Sequence, residues 1–535
     1  LRTLQIFYSK TLQEEFGFLL KKKLIFSLVG GILMGLAPAP NNFWWLAWIG
    51  LVPLWLVLFK FKNSLQQTIL IALVWGFGFY GLALFWITGV HPMTWMGVPW
   101  LASLLIAIFC WLFITAWGTA LVVTWSILMT IITKKFHDIF QAQNIGNTCL
   151  KVLLGVTLWC FLEILWTHTP LWWTSLASTQ SPNNLIILQL GKISGASTIT
   201  IGIVAVNGFL AEAILIRKRI TNLYSKSLFF LLPLLIFGFW HLLGFWLYQY
   251  PINLDNQQAI KVGIIQGNIP NEIKLYPSGW RKAIEGYTTG YQRLAKQKVD
   301  IVLTPETALP FYWDNIINDQ TSFYQAVLKE KIPAWVGAFG KEGSSYTNSL
   351  FTLTATGKTY SQYDKFKLVP LGEYIPFESV LGKIINRLSP LDAHLVPGKS
   401  NQIFDTPFGR AITGICYESA FSQHFRRQAR EGGEYIITAS NNAHYSSAMP
   451  AQHHALDVMR AIETDRWVAR ATNTGYSAIV DPRGHTLWRS QMEQYAIHAD
   501  TIYRRQTQTL YVKWGDWLTI VLLGLSTIWL WQKNR

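Results

Sequence analysis

The sequence predicts two kinds of structure in one 535-residue chain: a multi-span α-helical membrane domain with eight spans, and an α/β domain placed before the last of them. Three observations carry this. Charged residues make up 14% of the chain, against about 25% in ordinary soluble domains. The deficit is uneven: 24–250 runs for long stretches without charge, whereas 251–512 has the composition of a soluble domain. Within 251–512, strand-like and helix-like runs alternate, as they do in α/β folds. The expected division is 1–250 for a membrane domain of seven spans, 251–512 for the α/β domain, and 513–535 for the last span and tail.

A helix needs about 20 apolar residues to cross the hydrocarbon core. Such runs lie near 24–40, 43–60, 67–90, 98–132, 149–167, 196–216, 227–248 and 515–532. The fourth exceeds one crossing, which predicts tilt or extension beyond the bilayer. The first reads as a span rather than a cleaved signal, because more spans follow it. The stretch 169–195, with Pro170, Trp172 and Trp173, reads as an interfacial loop. Cations mark alternate loops. Arg2, Lys10 and Lys21 to Lys23 precede the first span; Lys60 and Lys62, then Lys134, Lys135 and Lys151, then Arg217, Lys218, Arg219 and Lys226 follow later ones; Lys533 and Arg535 end the chain. The loops near 40–42 and 91–97 carry no charge, and 169–195 holds only Lys192. By the positive-inside rule, both termini face the cytoplasm and 251–512 lies outside.

In that outer region, Lys261–Gln266 is a strand and 279–297 a helix. Asp300–Thr304 is a buried-type strand, 321–331 a helix, 333–338 and Ser349–Thr354 strands. Arg410–Cys416 is a strand leading into a polar helix at 418–431. Tyr435–Ser440 is a strand, 451–470 a long amphipathic helix, and 476–489 and 495–503 closing strands.

The net charge of +16 does not indicate nucleic acid, because the excess sits at span ends and no Arg/Lys stripe interleaves with aromatics. Of four cysteines, Cys110, Cys149 and Cys160 belong to apolar runs, and Cys416 alone lies in 251–512. An internal disulfide or a multi-cysteine zinc site is excluded there. No metal and no cofactor is expected. His453 and His454 read as packing or surface residues of a helix rather than ligands.

Three segments place reactive residues at strand ends, where open α/β sheets hold their ligands. In Thr304-Pro305-Glu306-Thr307-Ala308, a carboxylate follows an apolar strand and suits a general base. In the run from Tyr363 to Tyr374, Lys365 and Lys367 share a face if extended, and the apolar stretch ending in Glu373 suits a packed loop. In Gly414-Ile415-Cys416-Tyr417-Glu418-Ser419, the thiol stands between a strand and a helix start. Free N–H groups and the dipole there are expected to lower the thiol pKa and to hold an oxyanion.

Glu306, Lys365 and Cys416 together resemble the glutamate–lysine–cysteine triad of the nitrilase, or carbon-nitrogen hydrolase, superfamily. Glu373 and Glu418 match further carboxylates of its membrane-attached branch, the apolipoprotein N-acyltransferases. Gln266-Gly267-Asn268-Ile269-Pro270 and Arg470-Ala471-Thr472-Asn473-Thr474-Gly475 are similar to that branch too, as is the arrangement of spans. The resemblance implies a nitrilase-like α-β-β-α sandwich, a cell inner membrane location and a catalytic domain on the extracytoplasmic, periplasmic side. It implies a phospholipid acyl donor, a diacylated apolipoprotein acceptor and contact with membrane lipids. Cys416 is the expected nucleophile, Glu306 the base, Lys365 and the Tyr417 N–H the oxyanion donors, with Glu373 and Glu418 supporting Lys365 by orienting it or pairing with its charge. The sequence departs from the family at Ser440-Asn441-Asn442-Ala443-His444-Tyr445, where Ser-Asn-Asp-Ala-Trp-Phe is usual, and at Leu275 and Tyr276, where a tryptophan is frequent.

Two other readings remain open on sequence: a membrane-anchored amidase or nitrilase acting on a small molecule, and a transporter with an outer accessory domain. Seven preceding spans exceed what an anchor needs. Transporters place ionisable groups inside spans, whereas here only Glu163, Glu212 and Asp516 lie in or near them and no span pattern repeats. The loop charges yield a direct expectation. A reporter active only in the cytoplasm, fused after Tyr250, is silent; strong activity there reverses the orientation.

Overall fold

The computed structural model describes residues 2–141, 144–217, 223–252, 254–343, 345–370, 372–374 and 395–535, with side chains described except at 2–16 and 223–226. Lys218, Arg219 and Leu371 of the sequence reading lie outside the described residues, as do the side chains of Arg2, Lys10 and Lys226.

Among the described residues, five helices are long and apolar enough to cross a membrane: Leu65–Ala83, Trp100–Lys135, Ile145–Thr167, Ala196–Ile216 and Ser227–Tyr248. Their outer faces expose large apolar side chains, including Leu105, Phe109 and Phe113 on one and Leu234, Phe239 and Leu242 on another. So broad an apolar surface is stable against lipid, not water. The chain is a membrane protein. At about 1.5 Å per residue, the 36-residue helix Trp100–Lys135 is about 54 Å long and overruns a core of about 30 Å. A 34-residue helix, Arg2–Gly35, precedes these, and Trp517–Asn534 follows the α/β domain.

The structure refines the sequence reading of two apolar runs. The run 43–60 is broken into a short turn Trp44–Leu46 and helices Ala47–Gly50 and Val52–Lys60. The run 67–90 ends as an α-helix at Ala83 and continues as the tighter turn Phe85–Val90. The stretch 169–195 contains only the short elements Ala177–Gln180, Leu185–Leu188 and Gly191–Ser194, and it packs into the protein. Trp172, Trp173, Leu176, Leu188 and Leu190 are buried, and Leu176 N–H donates to the Glu163 carboxylate at 2.8 Å. Thr200 Oγ1 and Trp159 Nε1 donate to the same carboxylate at 2.8 and 3.2 Å. Glu163 thus closes a structural network between helices.

The α/β domain contains twelve strands: β1 (Ala259–Gln266), β2 (Ile301–Leu303), β3 (Ala334–Glu342), β4 (Ser345–Leu353), β5 (Thr359–Asp364), β6 (Phe404–Thr406), β7 (Gly409–Ile415), β8 (Tyr435–Ser440), β9 (Val468–Thr472), β10 (Ala478–Val480), β11 (Thr486–Arg489) and β12 (Ala496–Tyr503). They form two six-stranded sheets, ordered β12-β1-β2-β3-β4-β5 and β11-β10-β9-β8-β7-β6. Val262, Ile264, Leu303 and Trp335 of the first sheet meet Ile415, Ile437, Ala469 and Ile479 of the second in one buried core. Helices Pro277–Lys296 and Ser322–Glu330 cover the first sheet's outer face with Tyr287, Leu294, Phe323 and Val327. Helices Ser422–Arg430 and Ala448–Thr464 cover the second. The result is the α-β-β-α sandwich. The second helix pair does not face water: Phe425, Leu456, Met459 and Ile462 share one apolar cluster with Trp55, Trp75 and Trp159 of the membrane helices.

Two further corrections concern this domain. The helix expected at 451–470 ends at Thr464; Asp465 turns left-handed at φ 57°, and Val468–Thr472 is a central strand. Helical spacing gives way there to a run buried on both faces, which period alone does not separate from helix. The strand expected at 476–489 is a hairpin, β10 and β11, turning through Asp481–Gly484. Strand β5 was not anticipated, because its polar residues at an exposed sheet edge carry no alternation.

One close approach positions the turn after β2. A Cβ at Gly337 on β3 would stand 2.0 Å from the Pro305 carbonyl oxygen and 2.8 Å from the Thr307 nitrogen. Gly337→Ala therefore displaces the Glu306 turn and destabilises the domain by about 1–3 kcal/mol, as overpacking does. Thermal unfolding in detergent measures this; an unchanged midpoint means the turn yields freely.

Candidate active site

Three strand ends bring the reactive residues together. Glu306 follows β2, Lys365 follows β5, and Cys416 follows β7. All are buried: Glu306 and Cys416 are 6% exposed and Lys365 is 1% exposed. Lys365 Nζ donates to Glu306 Oε1 at 2.9 Å and to Glu373 Oε1 at 2.7 Å. The lysine backbone is fixed too, with Lys365 N–H bonded to Asn348 O at 2.8 Å. Asn348, on β4, donates through Nδ2 to Glu306 Oε1 at 2.7 Å and to Glu373 Oε1 at 3.2 Å. The other oxygen of Glu306 accepts from Asn441 N–H at 2.8 Å, and the Asn441 carbonyl lies 3.8 Å from Cys416 Sγ. Asn441 therefore ties the carboxylate and the thiol to one peptide segment.

Sequence reasoning missed two neighbours. Asn348 shares its strand with the buried polar residues Thr347, Ser349 and Thr352, and no local signal singles it out. Lys274, on the four-residue helix Asn271–Lys274, is buried and donates to the Glu306 backbone carbonyl at 3.0 Å. It lies close behind the Gln-Gly-Asn-Ile-Pro segment, which was the only pointer to it.

Only one of the two supporting carboxylates reaches Lys365. Glu373 does hold Lys365, and Val369 N–H steadies its other oxygen at 2.8 Å. Glu418 does not reach Lys365. It is fully buried and accepts from Phe366 N–H at 2.7 Å, Lys367 N–H at 3.1 Å, Ile415 N–H at 2.7 Å and Tyr363 Oη at 2.9 Å. It clamps the lysine loop to the backbone just before the nucleophile. Lys367 points away from the triad, with Nζ over the Phe366 and Phe421 rings.

The expected helix start at Cys416 is also corrected. Cys416–Ala420 is a short 3-10 turn, and the helix begins only at Ser422. Cys416 itself is left-handed at φ 52°, a strained conformation for a residue with a Cβ. Burial and the adjacent Glu306 charge push its thiol up to about 12, against the pull of Lys365. A further negative charge is disfavoured in a dry site that already holds a carboxylate. For Glu306, burial acts upward, but Lys365, Lys274 and the Asn348 hydrogen bond together bring its pKa below the usual value. Burial raises the pKa of Glu373 and prevails over the attraction of Lys365. Lys365 is held well above its usual value: burial opposes its charge, and Glu306 and Glu373 overcome that. The resting site is thus a neutral thiol beside an ionised Glu306 and a charged Lys365. It can pass the thiol proton to Glu306 as sulfur attacks, and offer an ammonium to a developing oxyanion.

The far wall belongs to the membrane domain. Tyr417 Oη donates to the carbonyls of Pro170 at 2.6 Å and Trp172 at 3.1 Å, and its ring stacks on Trp173 at 6.1 Å. Trp173 and Trp86 both donate to Gln452 Oε1, at 2.8 and 3.0 Å, while Gln452 Nε2 donates to Ala83 O at 2.8 Å. Tyr445 packs edge-on to Trp86 at 5.0 Å. His444 is exposed, hydrogen-bonded to Asn271 at 2.8 Å and 6.4 Å from the Trp95 ring of the membrane domain. Tyr276 is exposed.

These charges set the pH response of the thiol. Glu306 is ionised above its lowered pKa, so general-base alkylation of Cys416 by iodoacetamide varies less than about threefold from about pH 6 to about pH 9. Without the base, in Glu306→Gln, the rate climbs about tenfold per pH unit with the thiolate fraction. A wild-type rate climbing as steeply contradicts base activation.

The N-terminal half matches the apolipoprotein N-acyltransferase N-terminal domain family over residues 30–209, and the α/β domain matches the carbon-nitrogen hydrolase family over residues 261–505. The sequence is 55% identical over 504 residues to an apolipoprotein N-acyltransferase of a Nostoc species, covering 94% of this chain and 97% of that one. It is 51% identical over 517 residues to one of a Synechocystis species, covering 93% and 98%. A third, from Thermosynechococcus vestitus, is 40% identical over 494 residues and covers 92% of each chain. With matches of this extent, the chain belongs to the apolipoprotein N-acyltransferases.

Proposed function

We propose that the enzyme transfers an acyl chain from the sn-1 position of a phospholipid to the N-terminal α-amine of a diacylglyceryl-cysteine on apolipoproteins, through a thioester on Cys416. One observation favours this over an amidase of small soluble substrates. The turn bearing the nucleophile is bonded directly to the membrane domain, through Tyr417 to Pro170 and Trp172. A substrate reaching Cys416 from that side comes from lipid.

In the first step, Sγ attacks the ester carbonyl while Glu306 takes the thiol proton. Lys365 Nζ and the Tyr417 N–H bear the oxyanion. The ester C–O bond breaks, the proton passes from Glu306 to the leaving lysophospholipid oxygen, and an acyl thioester remains. In the second step, the lipoprotein amine attacks the thioester and Glu306 removes an amine proton. The C–S bond breaks, the amide forms, and the proton returns to sulfur. Two moderate barriers replace one high barrier, because amines attack thioesters far more readily than oxygen esters. Glu373 keeps Lys365 charged and in place, and Glu418 holds the loop and turn in register.

The same reading assigns eight spans. Arg2–Gly35, Trp44–Lys60 and Trp517–Asn534 join the five long apolar helices. Residues 1–250 then form the inner-membrane domain, 251–512 the periplasmic catalytic domain, and 513–535 the returning span. Exposed Phe18, Ile25, Phe26 and Val29 on the first helix and Ile520, Leu525 and Ile528 on the last support lipid contact.

Given phospholipid and no amine, the enzyme gains one acyl chain on Cys416, seen by intact mass, and neutral hydroxylamine removes it. Cys416→Ala gains none. Glu306→Gln slows formation and discharge alike, by about 100-fold or more. A diacylated lipoprotein peptide with a free N-terminus clears the adduct and its N-acetylated copy does not. Equal clearance by both peptides, or transfer without Cys416, contradicts the scheme.

A further inference from the structure

Lys274 lies on the four-residue helix Asn271–Lys274 and is 4% exposed. Its Nζ donates to the Glu306 backbone carbonyl at 3.0 Å. The carboxylates of Glu306 and Glu373 pair with Lys365 instead. A neutral carbonyl offsets less of the desolvation cost of a buried ammonium than a carboxylate does. An apolar side chain serves stability better at such a place, so the cation calls for another reason. The fold also makes room for it. A Cβ at Gly279 would stand 2.0 Å from the Ile273 carbonyl oxygen and 2.8 Å from the Lys274 Cα.

The hydrogen bond falls on a peptide that needs holding. Thr307, next to Glu306, is left-handed at φ 46°, a strained conformation for a β-branched residue. The Glu306–Thr307 peptide relaxes from that orientation unless its carbonyl is held. The same short helix reaches the base from its other side. Asn271 Oδ1 accepts from Asn441 Nδ2 at 3.4 Å, and Asn441 N–H holds Glu306 Oε2 at 2.8 Å. Backbone and carboxylate of one residue are thus braced from one helical turn.

We propose that Lys274 is a positioning residue for the base: its ammonium grips the Glu306 carbonyl, fixes the strained turn and sets a second cation beside the carboxylate that receives the thiol proton. The charged and titratable groups around it agree with this. Burial, the leading influence, lowers the pKa of Lys274 to about 8; Glu306 and then Cys416 favour its charge, and Lys365 opposes it. Below that pH Lys274 is an ammonium, and above it the amine still donates an N–H to the carbonyl. Glu306 in turn faces Lys365 first and Lys274 next, and both cations stabilise its ionised form. Glu373 shares Lys365 and opposes a second negative charge. His444, its pKa lowered by desolvation and then by Lys274, is neutral there.

The inference rests on the reading of Glu306 as the base, and the test separates the two. The full-length enzyme in detergent is alkylated at Cys416 with iodoacetamide across the pH range, and the product is read by peptide mass, with thermal unfolding in parallel. A wild-type rate climbing about tenfold per pH unit throughout refutes the base, and this inference with it. With the wild-type profile flat, Lys274→Met removes both grip and charge, and the rate falls about 10- to 30-fold near pH 6 but about threefold near pH 9. The sign follows from the charge. Without the cation Glu306 keeps its proton to higher pH, so the loss is largest in acid and fades as pH rises. Lys274→Gln, a second neutral variant, shows the same acid-side loss and decides the matter if Lys274→Met does not fold. Lys274→Arg keeps charge and donors, and stays within about threefold of wild type at either pH. A side chain that only fills space changes the rate by one factor at every pH. That uniform change in the neutral variants, wild-type rates in them, or the same acid-side loss in Lys274→Arg overturns the proposal.

Discussion

One buried ammonium organises the site. Lys365 Nζ lies within 2.9 Å of Glu306 and 2.7 Å of Glu373, where water barely reaches. A charge so placed is stable only with paired and hydrogen-bonded partners. Two carboxylates facing one cation cannot both be ionised at low cost, and their pKa values move apart, Glu306 down and Glu373 up. The ionised one is the carboxylate tied to the thiol through Asn441. The thiol cannot ionise beside it, and its pKa rises. This single electrostatic arrangement leaves Glu306 as the ionised group that can accept the thiol proton.

The rest of the fold maintains that arrangement. Three strand ends from two sheets converge on it, and each loop is fixed by groups outside the triad. Asn348 steadies both carboxylates from β4. Glu418 collects three backbone N–H groups and a phenol, locking the lysine loop against the nucleophile's turn. Loss of that carboxylate strands buried donors, at about 1–3 kcal/mol each. Asn348 and Glu418 thereby fix the positions of Glu306, Lys365 and the Cys416 turn.

The membrane helices do more than anchor the catalytic domain. Helices Ser422–Arg430 and Ala448–Thr464 belong to the sandwich by topology, yet their apolar faces lie in the membrane domain's own core. Gln452 joins Trp86, Trp173 and the Ala83 carbonyl into one wall beside the nucleophile. Water near a thioester promotes hydrolysis, so a wall of indole and phenol rings serves a transferase well.

Much was legible in the residues themselves. Charge scarcity and flanking cations marked the membrane part, because burying charge in hydrocarbon is prohibitive. Strand ends ending in Glu306 and Cys416 marked the site, because reactive side chains stand where a buried strand leaves its sheet. The identities of Glu306, Lys365 and Cys416 were local features of their segments. Their roles depend on neighbours distant in the chain, such as Asn348, 42 residues from Glu306, and Asn441, 135 residues from it. The helix dipole expected to activate Cys416 gave way to a 3-10 turn, and burial raised the thiol pKa instead. Glu418, expected beside Lys365, serves the backbone. Asn348, Lys274 and Trp173 came to the site only through sheet register and domain docking. Sequence determined which groups were present and which segments lay in lipid, since hydropathy and charge are properties of each residue. The tertiary structure alone decided which groups are charged, since a pKa is set by the partners and the dielectric that folding brings to each one.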